Sequence, residues 1–178
     1  MMTEPFDIIV MDPPWRFQSN SAAAPGRNAL RHYPCMKLPE IAALPVRQWA
    51  ARNALLLVWA TSPMLPHAMA MIEAWEFKYV SSLVWVKSRI GTGYWARGRH
   101  EFVLIAKRGA FPCPRPAPFA DSVIEAPSRQ HSRKPEELQD MVDAAWPDAR
   151  KLEMFARQVR PGWTAWGNEV DRFDRAPT

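Results

Sequence analysis

Residues 7–15 read Asp-Ile-Ile-Val-Met-Asp-Pro-Pro-Trp, and this run limits the fold more than any other stretch. Its four consecutive apolar residues read as a buried strand rather than a half-exposed one, which would alternate. The two prolines after Asp12 end it, because neither can donate to a sheet ladder. Asp12-Pro13-Pro14-Trp15 then falls just past the strand's C-terminal end, where open α/β sheets bind ligands.

The rest of the chain supplies the cover that such a strand needs. The first strand is predicted over 6–11, followed by a long loop to about residue 36. Loops of that length are usually functional or mobile. A helix is predicted over 38–50, opened by Pro39, then a buried strand over 54–60. Ser62 and Pro63 begin a helix that runs to about Trp75, with Ser62 as its cap. Strands are predicted over 79–87 and 101–107. The alternation of helix and strand implies an α/β fold with a mostly parallel sheet and helices on both faces. Residues 110–120 contain four prolines and form an extended linker. A short strand at 122–126 and a helix from Pro135 to just before Pro147 follow. Strands over 150–155 and 163–167 complete the pattern. Residues 1–170 therefore form a single domain and 171–178 a flexible tail.

With 178 residues, 48% of them hydrophobic, the chain has room for one sizeable core. No apolar run is long enough to span a membrane, and the N-terminus has no signal-peptide pattern. Cys35 and Cys113 lack metal-type spacing and are expected as free thiols in a reducing compartment. The four histidines show no ligand spacing either, so no metal is expected. A net charge of +5 is compatible with a polyanionic partner.

The chemistry of the Asp12–Trp15 segment is specific. An aromatic exocyclic amine is a poor nucleophile because its lone pair is delocalised into the ring. Two acceptors placed at its two N–H groups draw the nitrogen toward tetrahedral geometry and free that pair. The Asp12 carboxylate and the Pro13 carbonyl suit this task, and the prolines preorganise them. The rings of Pro14 and Trp15 are then available to sandwich the base.

Other segments are less decisive alone. Gly91-Thr92-Gly93-Tyr94-Trp95-Ala96 matches a loose dinucleotide pattern, but a strand follows it rather than a helix, so it reads as a turn. Tyr94, Trp95, Arg97 and Arg99 interleave rings with cations, which suits either a nucleic-acid surface or a solvated basic loop. Arg133 and Lys134 precede a helix, either as a solvated pair or as an anion site. Glu169 stands at the tip of a strand, a common place for an acid that takes ribose hydroxyls.

Six segments, in this order, resemble the DPPW adenine-N6 methyltransferase family, named after the large subunit of the eukaryotic mRNA adenosine methyltransferase. They are Phe6–Trp15, Leu83–Lys87, Thr92–Trp95, His131–Glu137, Arg150–Arg157 and Trp163–Glu169. The resemblance spans residues 6–169 and implies a bacterial or phage member. It implies a Rossmann-like sheet in permuted order, with the catalytic motif before the cofactor strand, and S-adenosylmethionine as cofactor. In that picture Asp12, Pro13, Pro14 and Trp15 hold the target adenine. Asp12, Lys134, Arg157, Asn168 and Glu169 are the cofactor set, with Lys134 meeting the methionine carboxylate. Tyr33 matches a tyrosine in the family's substrate-gating loop; beside the resemblance, the residues themselves make Trp95, Arg97 and Arg133 candidates for the substrate side.

Two departures stand out. The eukaryotic pattern has His-Asn shortly after the residue matching Arg157, whereas Gln158-Val159-Arg160 is shorter and lacks both. Its final amide is Glu169 here. The expected activity is direct methyl transfer to adenine N6 in nucleic acid, DNA before RNA, because no separate target-recognition module or eukaryotic accessory region is visible. A catalytically inactive nucleic-acid-binding subunit is the alternative from another class. The segment between the third and fourth strands is short where the eukaryotic enzyme pairs with a partner subunit. A monomer or homodimer is therefore expected rather than an obligate heterodimer, in the cytoplasm of a bacterial or phage-infected cell.

Overall fold

The computed structural model describes residues 4–15, 36–91, 93, 95–113, 119, 121–129 and 133–173. Tyr33, in the long loop after the first strand, lies outside them. Strand β1 (Phe6–Met11) occupies the predicted range. It lies between β2 (Ala50–Ala60) and β6 (Lys151–Met154), parallel to both. With β3 (Lys78–Lys87), β4 (His100–Arg108), β5 (Val123–Ala126) and β7 (Trp163–Trp166), the sheet has the order β5-β3-β4-β2-β1-β6-β7.

Six strands run one way and β4 runs against them, because β3 turns straight into β4 as an antiparallel hairpin. Helix and strand thus do not alternate at this connection. A Gly-containing turn takes the place of a crossover helix there.

The apolar run of β1 is buried on both sides, and its pleat divides the core. Ile9 and Met11 face helices α1 (Leu38–Ala42), α2 (Val46–Trp49) and α3 (Leu65–Ala74). Ile8 and Val10 face α4 (Glu137–Ala145). Helices therefore cover both faces, as expected for the fold class.

The predicted 38–50 helix is split into α1 and α2, with Pro45 at the N-cap of the second piece. Pro cannot continue the first helix without losing a hydrogen bond. A 3₁₀ turn over Ser62–Met64 leads into α3, and no side-chain cap hydrogen bond forms there. No described helix is long and apolar enough to cross a membrane.

Two features bring residues over the C-terminal edge of β1. The parallel neighbours β6 and β7 are joined by residues 155–162 without a helix. That connection is shorter than the dozen or so residues usual between parallel strands. It begins at Phe155, whose φ of 62° is left-handed, so the chain turns sharply off the sheet. The second feature lies in the first three residues of the expected tail. Residues 171–173 form a turn in which the Phe173 N–H donates to the Arg157 carbonyl at 3.1 Å. The Phe173 ring lies 4.8 Å from the Arg133 guanidinium. Aromatic packing and a backbone bond hold this segment against the domain.

Candidate active site

Asp12 leaves the end of β1 and its carboxylate accepts a hydrogen bond from Lys134 Nζ at 2.8 Å. Lys134 comes from the segment before α4, and its ammonium is also 3.3 Å from Glu101 Oε2. It lies 5.7 Å from the centre of the Trp59 ring, on β2. Glu101, on β4, pairs in turn with Lys87 at the end of β3. A chain of alternating charges, Asp12, Lys134, Glu101 and Lys87, thus crosses four strands along one edge of the sheet. Burial pushes the Glu101 carboxyl up, but the two lysines outweigh it and hold the group below the ordinary carboxylate range. Glu101 therefore stays ionised and anchors Lys134 beside Asp12.

The residues of the Asp12–Trp15 turn differ in how far they are buried. Pro13 is buried, and its carbonyl accepts the Trp15 backbone N–H at 2.7 Å, closing a tight turn that fixes the carbonyl's direction. A carbonyl has a second lone pair for a further donor. Pro14 is half-buried and keeps part of its ring exposed. Trp15 does not offer a stacking face here. It is 8% exposed within the α1–α3 core, and its indole N–H donates to the Trp59 carbonyl at 3.1 Å. Burying a large ring whose single donor is satisfied outweighs leaving it in water.

A cleft of about 480 Å³, counting the space open to solvent, begins at Asp12 and Trp59 and runs over the end of β6. Its walls include Glu153, Phe155, Arg157, Gln158, Arg133 and Gln139. Arg157 pairs with Glu169 at 3.3 Å, so two residues of the predicted cofactor set meet here. Asn168 is exposed and is not part of the cleft wall.

Arg133, assigned by sequence to the substrate side, stands on the same wall as Arg157. It donates to Gln158 Oε1 at 2.6 Å and to Glu136 Oε1 at 2.5 Å. Burial raises the Glu136 carboxyl, but hydrogen bonds from Arg129, Gln158 and Arg133 bring it below its ordinary value. Gln158 thus ties Arg133 to the wall of the cleft. Trp95 and Arg97 lie on the β3–β4 turn, outside the cleft.

Sequence reasoning missed Glu101, Trp59, Gln139 and Glu153. The last had a usable signal, a carboxylate within the apolar strand Lys-Leu-Glu-Met. Glu153 sits beside Val10 in the β1–β6 register, and Gln139 Nε2 donates to it at 3.2 Å. Burial pushes its carboxyl up to about 7, against the Gln139 hydrogen bond, and the negative charge of Asp12 adds to the rise.

Its folded value lies above the ordinary 4.5, so the native state holds this proton more tightly than the unfolded chain does. Stability therefore falls as pH rises from about 4.5 to about 7, by at most about 3 kcal/mol. Glu153→Gln is expected to melt at a higher temperature than wild type at pH 8, with the gap closing at pH 4.5. Paired thermal melts across that range check it, and a pH-independent gap contradicts it.

The donor set fits a zwitterionic, cationic nucleoside such as S-adenosylmethionine. Lys134 supplies a cation for a carboxylate. Asp12 supplies negative charge for an ammonium or sulfonium, and Glu169 an acceptor for hydroxyls. Among the described residues, Arg133 Nε and Gln139 Oε1 are buried without a hydrogen-bond partner. Both residues line this cleft, and buried polar atoms without partners are rare unless something else satisfies them. No cluster of potential metal ligands occurs among the described residues.

A model of the MT-A70 family matches residues 6–169, the same span that carries the six motifs. The type II methyltransferase M.MunI of a Mycoplasma species is 30% identical over 93% of this chain and 78% of its own length. Human METTL4, an N(6)-adenine-specific methyltransferase, is 30% identical over 94% of the chain and 38% of its own length. The N6-methyladenosine RNA methyltransferase MTA1 of Cryphonectria parasitica is 29% identical over 96% of the chain and 53% of its own length. The chain spans most of the first relative and about half or less of the other two.

Proposed function

The chain belongs to the MT-A70 family, and from that premise we propose that it transfers a methyl group from S-adenosylmethionine to adenine N6 in DNA. The observation that carries the reading is the placement of Asp12. It leaves the tip of a doubly buried strand onto the rim of a charged cleft, with its carboxylate held by Lys134 at 2.8 Å.

When bound, the cofactor supplies an electrophilic methyl group on a sulfonium. The residues of this chain do the rest. Lys134, Arg157 and Glu169 hold the cofactor, with Asp12 at the border between the two ligands. The Asp12 carboxylate and the second lone pair of the Pro13 carbonyl accept the two adenine N–H groups. Acceptors already fixed in place need no reorganisation as charge develops on the nitrogen. A separate strong base is unnecessary, because the amine becomes acidic only once methylated. An adenine inside a duplex must first leave the stack to reach this edge.

DNA is favoured by the likeness to M.MunI, a type II methyltransferase of which the chain spans 78%. RNA is the second reading, favoured by the likeness to MTA1. Incubation with methyl-labelled cofactor and either DNA or RNA, followed by mass analysis of the nucleosides, tests both. The expected product is N6-methyldeoxyadenosine. Label in RNA alone selects the second reading. No labelled base, together with no thermal stabilisation by the cofactor, leaves an inactive binding subunit.

A further inference from the structure

Residues 88–99 join β3 to β4 and carry Arg89, Arg97 and Arg99 with no acid among them. All three arginines are exposed, and Trp95 stands fully in solvent. An indole is the largest apolar side chain, and a fold ordinarily covers at least one of its faces.

This turn is nevertheless built. Gly91 N–H donates to the Gly98 carbonyl at 2.7 Å, and Lys87 N–H to the Arg99 carbonyl at 2.8 Å. Arg97 Nε donates to the Gly91 carbonyl at 3.2 Å, and Arg99 Nε to the Lys87 carbonyl at 2.9 Å. A Cβ on Gly91 would sit 2.9 Å from the Gly98 carbonyl oxygen, and one on Gly93 would collide with the Ala96 carbonyl. The backbone is thus packed as closely as glycine permits. Arg97 and Arg99 close the turn through Nε, and among the described residues their terminal nitrogens have no partner, so they face outward.

The turn rises from the edge of the sheet that carries Asp12. Glu101, two residues after Arg99, reaches Lys134, which holds Asp12. An exposed ring among cations beside the reacting edge has the two components of a single-strand contact, a stacking face and phosphate donors. A second copy of this chain fits poorly, because its net charge is also +5.

We propose that Trp95 stacks on one base of the strand that carries the target adenine, while Arg97 and Arg99 take neighbouring phosphates. This rests on the reading of the chain as a nucleic-acid methyltransferase.

Fluorescence anisotropy of the full chain with a labelled single-stranded oligonucleotide of mixed sequence tests the contact. Trp95→Ala is expected to weaken binding about ten-fold or more, and Trp95→Phe to recover most of the loss. Arg97→Gln and Arg99→Gln should each reduce the slope of log affinity against log salt by about one at most. In the methyl-transfer assay, Trp95→Ala should raise KM for the oligonucleotide more than it lowers kcat.

Binding within two-fold of wild type for Trp95→Ala overturns the proposal. So does a change in its oligomeric state by light scattering without recovery in Trp95→Phe, which would make the turn a protein interface. Trp95-dependent binding by a wild-type chain that methylates nothing would instead overturn the methyltransferase reading and leave this contact standing.

Discussion

Asp12→Ala is expected to lower methyl transfer to adenine by about 10² to 10³ in kcat, the loss typical of removing one preorganised group from a reacting centre. The reason is geometric. The carboxylate is one of two acceptors that the amine needs, and the Pro13 carbonyl is already turned by its bond to the Trp15 N–H. With Asp12 gone, one amine hydrogen has no acceptor and the lone pair stays delocalised into the ring.

The fold should survive this change. The Asp12 side chain is 28% exposed and its pair with Lys134 is single, so the stability lost is about 1 kcal/mol or less. Lys134 keeps Glu101 as its counter-charge. Single-turnover transfer of labelled methyl, measured beside a thermal melt, separates the two effects. Transfer within five-fold of wild type at unchanged stability would remove Asp12 from the chemistry.

Trp59→Ala should have the largest effect on stability, a loss of about 3 to 5 kcal/mol. Trp59 is 1% exposed near the C-terminal end of β2. Its ring meets Trp85 edge to face at 6.0 Å and lies under the Lys134 ammonium. Removing it opens a cavity below the row of charges, and the paired backbone of β2 cannot move to fill it. For a domain of this length the melting temperature should fall by roughly 10 °C or more. The same substitution takes the aromatic face from Lys134, so cofactor-induced stabilisation should shrink as well. Trp59→Phe keeps a ring and should recover more than half of the lost stability. A melt within about 2 °C of wild type for Trp59→Ala would show that the sheet tolerates the cavity, against the packing described above.

Local order was largely legible in the residues. The β1 range follows from four apolar residues between two acids, and the positions of β2 to β7 follow from similar runs bounded by Pro and Gly. The turn at 88–99 was readable because a strand, not a helix, follows the glycines. Asp12 and Lys134 were found from motif segments, and the structure brings them within hydrogen-bonding distance across 122 residues of chain.

Other features were hidden because they depend on burial rather than on pattern. Trp15 reads as an open stacking ring in a tetrapeptide but is drawn into the core by the Trp59 carbonyl. Arg133 reads as a cation beside a helix start, and only the fold-back of Phe173 and the short 155–162 connection place it on the cleft wall. Glu101 looks like the first charged residue of an ordinary strand.

The sequence by itself determined the order of the elements, the two-sided burial of β1 and the arrival of an acid and two prolines at its end. Those are properties of neighbours along the chain, set by side-chain period and backbone stereochemistry. Only the tertiary structure decided which charges meet. By seating β1 between β2 and β6, it brings residues 12, 59, 101, 134 and 153 around one edge of the sheet. Their pairing and the raised carboxyl of Glu153 then follow from distance and lost water, which no local stretch of sequence encodes.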